Sequence, residues 1–370
     1  MNDQHAEVSR PERGHRPSER TMPARPDVSE DGPRGMRAGR SRRRPVVASL
    51  VGLVVAISGC APSQSAAVPN ATAPNGAAQD ATAPDGTSRS TPAPADPGRK
   101  TTPPPAKESA PAGQVPALPA PKAAIPTDPS RLARSLTTTT AELRRAIDAW
   151  RREGDPGKGE PPEPVVLLAL HQQRIYRYLV LNPKVASRTY ARLPKALAGQ
   201  AKDNVTAGRG LRSLVRPISG AAKFRVQPAK PADFLLGHFR HAERRFGVEW
   251  EVLAAVMFVE TKFGRVRSPS HTGAKGPMQF MPGTWAAYGM GGDIQDTRDS
   301  LLAAANYLRA SGAPRDYRRA LYAYNHSQAY VDAVLLHTRQ IKQDIRNYYA
   351  YYNWQVFVVT TRGDRRLTGP

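Results

Sequence analysis

The chain has a single cysteine, Cys60, in 370 residues. One cysteine excludes an intramolecular disulfide framework. Aromatic residues make up only 7%, and 31 acidic residues face 54 basic ones. No aromatic-basic module accompanies that positive charge, so nucleic-acid binding lacks the pattern that would carry it. The uncharged, mostly apolar run at 45–59 falls short of the roughly 20 residues that span a bilayer. Residues 61–130 hold almost no large apolar side chains. An Ala/Pro/Thr-rich stretch of that kind cannot bury a core and reads as an extended, disordered tether.

What remains is mostly helical in pattern. Leu143, Ala146, Ile147 and Trp150 mark an amphipathic helix resuming near Leu136. The loop at 154–164, GDPGKGEPPEP, breaks it. A second helix is expected over about 165–180, with Pro183 beyond it, and weaker segments at about 184–193 and 199–216. Residues 136–225 are thus a helical accessory region. Residues 354–361 (WQVFVVTT) alternate, are β-branched and precede Gly363-Asp364, which suits a small hairpin in the 351–370 tail.

The segment 248–264 carries the sharpest signal. Leu253, Val256, Met257 and Glu260 fall on one helical face, so a core-facing stripe ends in a carboxyl group. Gly264 is a suitable residue to end that helix. Apolar neighbours and the negative end of the helix dipole both disfavour the ionised form. A carboxyl held protonated near neutral pH is what a general acid needs. The bland alternative is a Glu fraying outward at a helix end.

Four pieces follow in order: GAKGPMQFMPGTWAAYG at 273–289, GGDIQD at 291–296, a helix-like stretch at 299–314, and AYNHS at 323–327. Together with Glu260-Thr261-Lys262-Phe263-Gly264, this set resembles the lytic transglycosylase branch of the lysozyme-like superfamily. The resemblance covers about a third of the chain, with a catalytic domain at 230–350. It implies a mostly α fold: a lysozyme-like catalytic domain preceded by the helical accessory region, a disordered tether before both, and the small hairpin after them.

By that resemblance Glu260 is the catalytic acid. Met278, Gln279 and Phe280 stand in the family's glycan-contacting loop, with Pro277 in place of a Leu. Met278 and Phe280 taken alone could be core, but a Gly/Pro-rich loop is an unusual place for a core stripe. Tyr324 and Asn325 match A-Y-N near the acid. His326-Ser327 replaces the usual ending, so His326 joins the substrate-binding candidates. Ser268 follows the catalytic helix as in many members, although Ser270, His271 and Thr272 leave open which of Ser268, Ser270 and His271 faces substrate. Asp293, Asp296 and Asp299 read as turn and capping residues; a second carboxylate or cation site is the alternative.

The implied reaction uses one carboxyl. The acid protonates the glycosidic oxygen, then takes a proton from the muramoyl 6-hydroxyl, which attacks C1. The product is a 1,6-anhydro sugar, and neither metal nor organic cofactor is implied. The partners implied are peptidoglycan glycan strands. Two rivals stay open: a muramidase that uses water, with Asp293 or Asp296 assisting, and a non-catalytic wall-binding lipoprotein.

The front of the chain bears on location. Arg42, Arg43 and Arg44 precede the apolar run, and Ile57-Ser58-Gly59-Cys60 ends it, a signal-peptide pattern. Ile-Ser-Gly-Cys resembles a bacterial lipobox, which makes Cys60 the lipidation site and the start of the tether at 60–130. Residues 1–59 are the signal region, with Met36 the expected true start. The expected location is outside the cytoplasmic membrane, held to its outer face by the lipid. The formal charge of +23 suits anionic wall polymers and headgroups.

Overall fold

A computed structural model describes residues 117–219 and 224–368. The signal region, Cys60 and the tether up to 116 lie outside the described residues. Eleven helices and one two-stranded sheet are present among those described.

The first helix, α1 (Pro129–Glu153), starts seven residues before Leu136. Asp128 caps it, its Oδ1 accepting from the amides of Ser130 at 3.1 Å and Arg131 at 2.9 Å. Pro129 suits the first turn because its missing N–H has no partner there anyway. The expected boundary at 130–136 therefore moves back: Leu132 is 0% exposed. Upstream, Ile125 packs on the core and the Ala123 carbonyl accepts from Arg174 Nη1 at 2.6 Å. The end of the expected tether is thus packed chain.

Next come α2 (Glu163–Leu181), α3 (Pro183–Tyr190) and α4 (Lys195–Ser213), close to the expected segments. The domain with the motifs supplies α5 (Ala232–Phe246), α6 (Trp250–Thr261), α7 (Pro282–Tyr288), α8 (Thr297–Ala310), α9 (Tyr317–Tyr324), α10 (Gln328–Gln343) and α11 (Arg346–Tyr352). The chain ends in β1 (Phe357–Thr360) and β2 (Gly363–Arg366), antiparallel with Phe357 opposite Arg366 and Thr360 opposite Gly363.

α6 lies at the centre. Every residue from Val252 to Thr261 is buried, so it is covered on all sides rather than along one stripe. It packs against α5, α8, α10 and α11. Its end differs from expectation. Lys262, Phe263 and Gly264 all have positive φ (53°, 60° and 80°), so the helix stops at Thr261, three residues before Gly264.

The accessory helices do not form a separate layer. α4 lies along α10, and α1 touches α11. Gln200 Nε2 donates to Asn347 Oδ1 at 2.8 Å, and Tyr351 Oη donates to Asn204 Oδ1 at 2.8 Å, both buried. The hairpin closes on the same helices: Asp364 accepts from Arg212 Nη1 at 2.8 Å and also pairs with Arg177. Gln173 and Gln355 exchange two hydrogen bonds of 2.9 Å each. One apolar core runs from Leu132 to Trp354.

Candidate active site

Glu260 sits in the last turn of α6 and is 1% exposed. One oxygen, Oε1, accepts from Tyr330 Oη at 2.7 Å. The other, Oε2, is buried with no partner. Burial pushes the carboxyl up to about 8; the Tyr330 hydrogen bond and the charge of Lys262 pull the other way and lose. Removing a carboxylate from water costs more than one neutral donor returns. Glu260 is therefore mostly protonated at pH 7.

The loop after α6 folds over this end of the helix. Thr261 Oγ1 donates to the Pro277 carbonyl at 2.6 Å and accepts from the Gly264 amide at 2.9 Å. Tyr324 Oη donates to the Met278 carbonyl at 2.6 Å. Lys275 and Phe280 exchange backbone hydrogen bonds of 2.9 and 2.8 Å, closing the turn. Gly276 is required there: φ is +75°, and a Cβ would lie 1.9 Å from the Ile294 carbonyl oxygen. Gln279 takes φ +51° with a side chain, a sparsely populated conformation. Its Nε2 donates to the Gly276 carbonyl at 3.0 Å, while its Oε1 is buried and unpartnered.

Met278 and Phe280 correct the expectation drawn from their loop setting. Met278 is 0% exposed and both join the core. The loop alternates, so two apolar side chains point inward and anchor it while Gln279 carries the free polar group. Phe280 meets Trp285 at 5.4 Å and Tyr324 at 5.8 Å between ring centroids. They shape the site from beneath.

Asn325 and His326 follow α9. Asn325 Nδ2 and His326 Nδ1 are buried and unpartnered. Ser327 caps α10, its Oγ accepting from the Tyr330 amide at 3.4 Å, which gives the departure at His326-Ser327 a structural reason. Ser268 Oγ accepts from the Arg225 amide at 2.9 Å. Ser270 is buried and holds its own turn, accepting from the Ala274 amide at 2.8 Å, and His271 is exposed. The structure thus places Ser268 and Ser270 in backbone support.

Buried polar atoms normally find partners, so orphans are informative. Glu260 Oε2, Gln279 Oε1, Asn325 Nδ2 and His326 Nδ1 are four such atoms, all on residues singled out by the motifs. Donors and acceptors both occur among them, so the set can pair with a ligand that carries both kinds of group. Tyr330 is the residue that sequence reasoning missed. It lies seventy positions from Glu260, and only its closeness to the AYN motif hinted at it.

The three aspartates are engaged elsewhere. Asp296 caps α8, accepting from the Asp299 amide at 2.9 Å. Asp299 Oδ2 accepts from the Asp293 amide at 3.0 Å, and Asp293 Oδ1 from the Gln295 amide at 2.8 Å.

Residues 237–346 match the transglycosylase SLT domain family. No curated protein and no solved structure gives a significant match. The matched stretch runs from α5 into the start of α11 and contains Glu260, the 276–280 loop, Asn325 and Tyr330. It supports placing this domain in the lytic transglycosylase superfamily, whose fold is lysozyme-like and whose substrate is peptidoglycan.

Proposed function

We propose that the chain is a peptidoglycan lytic transglycosylase that cleaves the β-1,4 bond from N-acetylmuramic acid to N-acetylglucosamine. The observation that carries this reading is the carboxyl of Glu260, the one buried acidic side chain among the described residues, held protonated with one oxygen free. Ordinary glycosidases need a second carboxylate as base or nucleophile. The sequence candidates, Asp293 and Asp296, are exposed, and each holds a backbone amide through one oxygen as a turn or cap residue does. That favours the transglycosylase over the water-using muramidase.

The steps balance without water. Glu260 gives its proton to the glycosidic oxygen, and the C1–O bond breaks. The resulting carboxylate takes the proton of the 6-hydroxyl as O6 bonds to C1, forming the 1,6-anhydro ring. Intramolecular attack gains from high effective molarity. Tyr330 steadies the carboxylate between the two transfers. Gln279, Asn325 and His326 supply unsatisfied groups for the sugar. Because Glu260 is buried, glycan entry entails a local shift of the segments that cover it.

Export and lipidation at Cys60 belong to the same proposal, with the protein anchored outside the cytoplasmic membrane. Cys60→Ala is expected to move the protein out of the detergent phase of cell extracts. Retention there with an attached acyl group removes the lipobox reading.

The chemical test is digestion of purified sacculi followed by mass analysis. The wild type is expected to release anhydro ends, one water lighter than hydrolytic ends. Glu260→Gln is expected to lose activity by about 10,000-fold, the upper end for general acid–base catalysis, because one group serves both steps. Products labelled from oxygen-18 water would convert the assignment to a hydrolase. Glycan binding without any turnover by the wild type favours the non-catalytic lipoprotein instead.

A further inference from the structure

Of the five other orphan polar atoms among the described residues, three fall together. Tyr176 Oη, His337 Nδ1 and Trp354 Nε1 are buried without partners, on residues 2%, 3% and 7% exposed. All three residues line one cavity of about 130 Å³ bounded by α2, α4, the end of α6, α10 and the hairpin. Glu260 is not among its lining residues. Val180, Leu211, Val215, Phe258 and Val356 give it an apolar wall.

The charge in that cavity is unbalanced. Arg177 and Arg212 share Asp364. Lys262 also lines the cavity and has no carboxylate within ion-pair distance among the described residues. Its Nζ donates to the Phe258 carbonyl at 2.8 Å and sits 4.2 Å from the centre of the Phe258 ring. Tyr176 and Trp354 stand side by side, 5.8 Å between ring centroids. Lysine and tryptophan N–H groups only donate, and a tyrosine hydroxyl can, so the unmatched polar groups lining the cavity ask for an acceptor. A cavity of this size holds a benzene-sized molecule, on the order of 150 Å³ in the best-known dry example.

We propose that this cavity binds a small organic carboxylate with an apolar body, its carboxylate held by Lys262 with the unpartnered Tyr176 hydroxyl or Trp354 N–H of the same lining. Three cations, Arg177, Arg212 and Lys262, line the cavity with one carboxylate, Asp364, and Lys262 is the one that no ion pair holds, so an added negative charge is favoured there. The apolar wall covers the body. Desolvation first, then the charge of Arg177, lowers the Lys262 amine to about 7, with Glu260 opposing. Water at the part of the side chain that stays exposed moderates that shift. His337 remains neutral in this range, because burial holds it down to about 3. An arriving carboxylate restores the proton on Lys262, so binding at pH 8 takes up a proton.

The test is calorimetric titration of the full chain with benzoate, with benzyl alcohol as the neutral control. Benzoate is expected to bind one to one, with proton uptake at pH 8 read from buffers of different ionisation heat. Benzyl alcohol and the Lys262→Met variant are each expected to weaken binding by about tenfold or more, the loss of a hydrogen bond to a charged group. Tyr176→Phe removes one orphan hydroxyl, and Val215→Trp fills the cavity from its rim; both should weaken binding if Lys262→Met does not fold. No benzoate binding means the cavity holds water only and overturns the proposal. Equal binding of benzoate and benzyl alcohol, or binding indifferent to the variants, overturns it as well. None of these readings needs glycan turnover, and because Glu260 titrates in the same range, the proton count is taken in Glu260→Gln, where uptake is expected to persist.

Discussion

Glu260 is costly to the fold in a way that can be measured separately from catalysis. Its ordinary value is 4.5 and its folded value about 8. For a carboxyl raised on folding, the unfolded chain gives up its proton first. Stability is therefore full below about pH 4.5, falls as pH rises, and levels off above about 8. At ~1.4 kcal/mol per pH unit the whole window is worth about 5 kcal/mol, as an upper bound. Glu260→Gln removes the ionisation and keeps an acceptor for Tyr330. The variant is expected to gain on the wild type steadily from pH 4.5 to 8 in urea unfolding. Parallel pH profiles for the two proteins would show that Glu260 is not held protonated. The carboxyl was legible in the sequence as a polar residue ending an apolar face. Tyr330 was not, because its hydrogen bond depends on where the start of α10 meets the end of α6, a long-range fact with no local pattern.

At the scale of elements, the 276–280 loop is where backbone geometry becomes chemistry. Gly276 lets the chain turn against the Ile294 carbonyl, Met278 and Phe280 anchor from below, and Gln279 is left with a free oxygen. Gly276→Ala puts a methyl 1.9 Å from that carbonyl in a left-handed conformation. The loop must move, and a loss of several kcal/mol is expected from strain and lost packing together. Activity on sacculi should fall with it. A melting temperature within a degree or two of wild type would mean that the loop is not fixed in this way. Elements whose signals are local were legible: the α2 segment before Pro183, Asp296 as a cap, and the hairpin before Gly363. The end of α6 was less so, since Lys262 and Phe263 adopt positive φ under tertiary constraint. Met278 and Phe280 were misread for a related reason, because a loop pinned by Thr261 and Tyr324 can carry core residues.

For the whole molecule, the question is whether the matched domain stands alone. The sequence set an accessory region apart from a catalytic one because the motifs begin only after its helical segments. Packing joins them. Without residues 117–225, α10 loses its cover along α4, and Asn347 and Tyr351 lose Gln200 and Asn204. Those two bonds are exchanged for bonds to water, a net loss of roughly 0.5–1.5 kcal/mol each, and the apolar face that α4 covered is exposed as well. Trp150 is withdrawn from Tyr349, 5.7 Å away between ring centroids, and Asp203 from Arg339. The hairpin loses both arginines that hold Asp364. Those losses together approach the 5–15 kcal/mol that keeps a domain folded. A chain of residues 230–370 is therefore expected to lack a cooperative urea transition and near-ultraviolet circular dichroism. A chain of residues 117–370 should keep both, because Leu132 and Ile125 remain in place. If the shorter chain unfolds cooperatively at an unchanged midpoint, the accessory helices are an appendage and the single core described here is wrong.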